Sequence, residues 1–510
     1  MEKKYIIAHD TGTGGDKAVL TDLRGRIIHS IYQDYPLSFP QPGWIEQDPD
    51  QLWQAVANTT RQVMAAKGID PGEILGVGIS AQMFNLLPVD DTCRPLTPMM
   101  SWLDVRSIDQ ADRVLSGDTP AFLFKHTGNI PTAKDFIPKA LWLKEMRPTQ
   151  WMHTYKLLDC KEYILFKLTG KIAIDWHGAS VYFLFDPQEK TWSQAACDRL
   201  GIPIAMLPEA FPCTTVIGEV TPDAARMTGL LPGTPVVICA GDVAVAQTGS
   251  GANRDGKSHL SVGTATWIGL SSSRFRNDPE KPFWALNHID PGKWVIAGEM
   301  ETGGGALMWF RDTFFQLEAE QARRQGKSTY AVLGEMAASI EPGSEKLLFT
   351  PWLSGERAPV LDHYARGAWL GISMGHTRAH FARAVMEGVA YHLRWIIEAL
   401  ERIDLPVGAL NAIGGGSTSP VWTQIISDVT SRELHVLKNA QEAGAAGAAL
   451  TVAVGMGVYP DVESIDDLVE ISHTVTPDAR NCRRYDDMYA AYRQTYEALT
   501  PIYRKLYEID

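Results

Sequence analysis

The chain has 510 residues, 45% hydrophobic and 21% charged, with a formal net charge of -13. That length allows two or three domains and a core that needs no covalent staples. The acidic balance and the lack of a long basic run exclude non-specific binding to nucleic acid or anionic membrane, although one lysine and a ring of backbone amides suffice for a phosphate.

Six cysteines, Cys93, Cys160, Cys197, Cys213, Cys239 and Cys482, form no CxxC pair. Neither a zinc site nor a disulfide framework is expected, and a reducing cytoplasm fits. No apolar run approaches the ~20 residues of a membrane helix. MEKKYIIAHD enters a strand-like run too soon for a signal peptide.

In chain order, residues 5–9 and 17–21 read as strands around a turn at 11–16, and Arg24-Gly25 turns the chain into a third strand at 27–32. Asp48 as N-cap and Pro49 at the first helical position open the helix DQLWQAVANTTRQVMAA. A strand follows at 74–80, then helices at 136–146 and 161–168. A Pro/Gly turn at 231–235 leads into an apolar strand at 235–240 that delivers Asp242 to its end. The small residues AVAQTGSGA after it mark a domain boundary, giving domains 1–248 and 249–510.

The second half opens with strand, turn, strand in HLSVGTATWIGL at 259–270, a degenerate copy of HDTGTGGDKAVL at 9–20. Two such openings predict a duplicated fold. Residues 380–403 carry an apolar stripe at helical spacing, and residues 485–506 carry a tyrosine stripe, read as a docked C-terminal helix.

Three stretches can carry chemistry. In DTGTGGDK, Gly12, Gly14 and Gly15 free the backbone to present amides, Thr11 and Thr13 add hydroxyls, Asp10 can hold Mg2+, and Lys17 can neutralise phosphate. The same letters also make a plain hairpin, and the stretch is not a GxxxxGK[ST] loop. Asp242 either accepts a proton from a substrate hydroxyl or caps the following helix. NAIGGGSTSP, from residue 411, reads as strand end, triple glycine and a helix start at Ser419 and Pro420. That turn suits a nucleotide against a helix N-terminus, and equally a ligand-free turn.

Together these segments resemble the FGGY carbohydrate kinases. GWIEQDP at 43–49, PKALWLKEMRP at 138–148, GGGALMWFRD at 303–312, LSGERAP at 353–359 and GAWLGISMGHTRAHFARAVME at 367–387 match in order and spacing over nearly the whole chain. The resemblance implies an α/β, two-lobed, duplicated ribonuclease H-like fold with a central cleft, as in actin, the heat-shock chaperone ATPases and hexokinase. It implies Asp242 as catalytic base and Asp10 as the acid that organises Mg2+. It implies nucleotide binding by Gly12, Thr13, Gly14, Lys17, Gly263, Thr264, Gly304, Gly415, Gly416 and Ser419. It places Gln82, Met83, Phe84, Trp102, Asp104 and Asp242 around the sugar. ATP and Mg2+ are the expected cofactors, a small sugar the substrate, and a homodimer the expected assembly.

Within the family the xylulokinase branch is nearest, on GISAQMFNLLPVD at 78–90. Two positions depart from it. Phe84 stands where the branch has histidine, and Val243 where asparagine follows the catalytic acid. D-xylulose is therefore the default expectation. Another sugar or polyol, or a non-catalytic sugar and ATP sensor, is the alternative, because losing a hydrogen-bonding group can shift substrate discrimination strongly.

Overall fold

The computed structural model describes residues 2–280 and 283–509. It contains two large mixed sheets of the same design. In the first, strands Tyr5–Thr11, Gly15–Asp22 and Ile27–Asp34 form an antiparallel meander, while Ile74–Ala81 and then Pro235–Val237 add in parallel on the other side of the first strand. In the second, Ser258–Val262, Thr266–Ser272 and Trp294–Met300 form the meander, and Leu410–Ile413 and Leu434–Leu437 add in parallel. Each sheet closes with an antiparallel edge strand, Val216–Glu219 or Ile471–Val475. The two opening hairpins read in the sequence are thus the same element in two copies, and the fold is the two-lobed α/β architecture that the duplication predicts.

The helices form where capping and periodicity place them. Helix Pro49–Ala65 starts at Asp48, whose side chain accepts from the Asp50 amide, with Pro49 at its first turn. Helix Phe136–Met146 has the predicted bounds, and the second predicted helix extends to Cys160–Thr169. In helix Ala479–Tyr507 the stripe residues Tyr485, Tyr489 and Tyr492 are buried against helix Arg378–Arg402, where Tyr485 donates to Glu387 at 2.8 Å, and Tyr503 is buried beside Trp352. The stripe fills core, as such stripes usually do.

The strand before Asp242 is shorter than predicted. It ends at Val237, and Asp242 is the first residue of helix Asp242–Gly249, with Gly241 as N-cap. Helix Ala443–Gly455, from the second half of the chain, packs on this helix and on the first sheet. The approach is close enough that a Cβ at Gly249 would overlap the Ala443 carbonyl, and one at Gly447 would overlap the Val245 carbonyl. Glycine is required at this crossing for space alone.

Residues between Ile74–Ala81 and Val216–Glu219 build a further apolar cluster around Phe136, Tyr182 and Phe183. It reaches Phe84 on one side and the edge strand Trp284–Asn287 of the second sheet on the other. This places an aromatic wall across the cleft. Among the described residues no helix is long and apolar enough to cross a membrane.

Candidate active site

Two cavities meet between the lobes. The first, about 420 Å³, is bounded by Asp10, Gly12, Thr13, Gln82, Met83, Phe84, Trp102, Asp242, Val243, Trp267, Trp284, Glu299 and Arg357. The second, about 820 Å³, is bounded by Gly304, Leu307, Met308, Tyr330, Gly334, Gly415, Gly416, Ser419 and Trp422. Gly263, Thr264 and Gln441 belong to both walls, so the cavities join there.

The join is built from main chain. In the first loop the protein holds each carbonyl: Tyr35 Oη donates to Gly12, Gln47 Nε2 to Thr13 at 2.9 Å, and the Tyr35 amide to Gly14 at 3.2 Å. With its carbonyls engaged, the loop has amides left for an anion. Trp102 Nε1 donates to Thr13 Oγ1 at 2.8 Å and fixes that hydroxyl. In the second loop the Gly304 amide donates to the Gly263 carbonyl at 2.8 Å and the Gly305 amide to the Thr264 carbonyl at 2.9 Å. A Cβ at Gly304 would overlap the Gly263 oxygen. Gly414 takes φ 86° beside Val262, and Ser419 caps helix Pro420–Thr430. These backbone contacts explain the glycines at 304 and 414 without reference to any ligand. Gly415 differs, since a Cβ there meets nothing within 4 Å.

Asp10 and Asp242 both face the first cavity. Neither forms an ion pair within 4.0 Å among the described residues; the Asp242 carboxylate accepts only from the Val243 amide, at 2.9 Å. Burial pushes Asp242 up to about 7, with the Asp10 charge adding to the rise. Burial also raises Asp10, while Lys17 acts the other way. A carboxylate poised near neutrality in a cleft has the property of a proton acceptor. The capping alternative does not hold: Gly241 is the N-cap, no side chain caps the helix, and Asp242 lies in the first turn, where a negative charge still meets the helix N-terminus.

Phe84 has φ 65°, a costly conformation for an aromatic residue. Lys139, buried and pushed down to about 7 by that burial, donates to the Phe84 carbonyl at 2.7 Å. The next residue, Asn85, donates from its amide and side chain to Asp159 at 3.1 and 2.7 Å. These contacts hold the strained residue in the cavity wall. The Phe84 ring lies 5.0 Å from that of Trp284, and the Arg357 guanidinium sits 5.4 and 4.8 Å from the two ring centres.

The predicted site residues separate into groups. Asp10, Gly12, Thr13, Gln82, Met83, Phe84, Trp102 and Asp242 share the first cavity, Gly304, Gly415, Gly416 and Ser419 share the second, and Gly263 with Thr264 joins them. Gly14, Lys17 and Asp104 line neither. Lys17 instead reaches the Gln441 carbonyl at 3.3 Å. Asp104 is buried and accepts from the Ile45 amide at 2.6 Å and from Arg106 at 2.7 Å, so its carboxylate serves the fold behind the wall. Trp284, Glu299 and Arg357 were missed. Arg357 lies within LSGERAP, but nothing in the letters places it against Phe84. Trp284 and Glu299 carry no local signal at all.

The FGGY family of carbohydrate kinases, N-terminal domain, matches residues 5–249, and its C-terminal domain matches residues 259–456. The chain belongs to the FGGY family of carbohydrate kinases. A gluconokinase of Bacillus subtilis is 30% identical over 482 residues, 94% of this chain and 93% of its own. A xylulose kinase of Staphylococcus epidermidis is 28% identical over 499 residues, covering 98% and 97%. Two solved structures from Lactobacillus acidophilus, a gluconate kinase and a ligand-bound xylulose kinase, each superpose with a TM-score of 0.89 at 26% identity, covering 99% or more of both chains. This FGGY chain is a sugar kinase with a small-molecule substrate, and ATP is the family's phosphate donor.

Proposed function

We propose that this kinase phosphorylates a primary hydroxyl of a small neutral sugar, with D-xylulose the first candidate. One observation carries the neutral class. Among the described residues, the first cavity presents three acids, Asp10, Asp242 and Glu299, and a single cation, Arg357. That cation is already met by Asp135 and Glu301 at 3.4 Å and Glu299 at 3.3 Å. An aldonate carboxylate would enter without a free cation, which is costly in a desolvated site. The gluconokinase relatives favour a sugar acid as the rival substrate, and Arg357 is the residue that would have to serve it.

Asp242 takes the proton of the attacking hydroxyl as the oxygen reaches the γ-phosphorus. The first and second loops hold the phosphates at the join, and the larger cavity takes the adenosine against Gly415, Gly416 and Ser419. Catalysis is then mainly positioning and charge neutralisation, with water kept out of the closed cleft. The residues fit Mg2+. Asp10 and Asp242 are two unpaired carboxylates beside an anion site, and the described residues hold no group of three or more His, Cys, Asp or Glu that would cage a metal. That donor set suits a cation that keeps water and phosphate ligands. When bound, Mg2+ supplies neutralisation of phosphate charge, with Asp10 as its protein ligand. The test is ADP release with Mg-ATP across ketopentoses, aldoses, polyols and aldonates. Turnover with D-xylulose supports the reading, and turnover with aldonates alone overturns it.

A further inference from the structure

The first cavity contains polar atoms that the protein leaves unmatched. Gln82 Oε1 and Trp284 Nε1 are buried and have no hydrogen-bond partner among the described residues, whereas Arg357 Nε is ion-paired with Glu299 and Glu301 at 3.3 and 3.4 Å. Both unmatched atoms belong to cavity-lining side chains that are more than nine-tenths buried. Buried polar groups are nearly always paired, and each unpaired one costs about 1–3 kcal/mol. A pair of them on one cavity is therefore a template for a ligand. Gln82 is oriented because its Nε2 donates to Gln47 at 2.8 Å, which fixes which end of the amide stays unmatched. Trp284 is fixed by its tilted ring contact with Phe84 and by the edge-strand pairing of Trp284 with Ala297. Glu299, two residues along that neighbouring strand, adds a carboxyl that accepts no hydrogen bond among the described residues and stands 3.3 Å from Arg357 Nε.

We infer that Trp284, Glu299 and Arg357, all from the second half of the chain, form with Gln82 the specificity-determining subsite for the oxygens of the sugar distant from the phosphorylated carbon. The chemistry is a free N–H donor, Trp284 Nε1, and a free acceptor, Gln82 Oε1, beside the Glu299 carboxyl and its ion-paired Arg357, which fits a vicinal diol or hydroxyketone. Such a group offers both an acceptor oxygen and an O–H within one bond, whereas a carboxylate offers acceptors only. The subsite also accounts for Phe84, which contributes a flat apolar face and no polar atom. The hydrogen bonding that a polar residue would offer at position 84 is supplied from the opposite wall. Sugar recognition is then complete only when both lobes face the same cavity, and the inference rests on the neutral-sugar reading above.

The test uses the full-length kinase and two isosteric changes. Trp284→Phe keeps the ring and removes Nε1–H, and Glu299→Gln keeps the shape and removes the acid. Each is assayed with the sugar that the wild type turns over best and with its deoxy analogues. The expected result is a rise of about tenfold in sugar KM for each variant, with ATP KM unchanged and kcat within a few-fold. For the deoxy analogue that lacks the hydroxyl read by Trp284, the gap between Trp284→Phe and wild type should close. An active wild type whose two variants keep sugar KM within twofold overturns the inference alone. A wild type that neither turns over nor binds any sugar, followed by tryptophan fluorescence, overturns both the inference and the reading beneath it.

Discussion

The two cavities are built differently. The join and the glycine side of the larger one are made by backbone: glycines at 263, 304, 414 and 416 let strands and helix ends approach, the loops are held by their own amides and carbonyls, and Leu307, Met308, Tyr330 and Trp422 complete the larger wall. The smaller one is made by side chains, Phe84, Trp284, Glu299 and Arg357, gathered from three distant parts of the sequence. Backbone geometry can serve a phosphate or nucleotide in any family member. On the proposed reading, side-chain geometry decides which sugar is taken. The contrast predicts that damage to the first kind of wall affects ATP, and damage to the second affects sugar choice.

The sharpest break is at the point where the two kinds of wall meet. Asp242→Asn should lower kcat by about 10²–10⁴-fold while ATP affinity stays near wild type, measured by steady-state kinetics and calorimetric titration. The same change should raise thermal stability at pH 8. The folded carboxyl titrates near 7, above its ordinary value, so its ionisation penalises the folded state as pH rises from about 4 to 7, and the amide removes that penalty.

Next in size is Gly304→Ala, whose Cβ would press on the Gly263 carbonyl. ATP KM should rise about tenfold or more, with sugar KM changed less, since overpacking of this kind costs about 1–3 kcal/mol. An equal effect on both substrates would erase the distinction between the walls.

The pH profile gives a third measure. The base must be ionised to act, so kcat/KM should be flat above about pH 7 and fall about tenfold per unit below it. Loss of that limb in Asp242→Asn ties it to this group. The smallest effect is expected for Phe84→His, a few-fold shift of relative kcat/KM toward D-xylulose across the sugar panel. No shift would remove Phe84 from the specificity wall.

The sequence carried the backbone-made half of the site well. DTGTGG, VGTAT and GGGSTSP are local patterns whose glycines mean the same thing in a string as in a fold, and the paired hairpins exposed the duplication. Asp242 was legible as an acid after an apolar strand, although the strand stops at Val237 and the acid sits on the helix instead. Asp104 was misread because Trp102, two residues before it, does line the cavity while its own carboxylate turns to Ile45 and Arg106. Trp284 and Glu299 were invisible for a physical reason. Their strands are ordinary apolar segments, and only the pairing of the second sheet against the Phe136 cluster brings them to Phe84.

The most direct test of the central claim is a competition. Equimolar D-xylulose and D-gluconate are incubated with the kinase, Mg-ATP and an ATP-regenerating system, and the phosphomonoesters are identified by 31P NMR. The account predicts that the xylulose phosphate ester dominates, because the only cation that the described residues bring to the first cavity is already matched by Asp135, Glu299 and Glu301. A dominant gluconate phosphate would contradict it, and would mean that Arg357 exchanges those partners for the substrate.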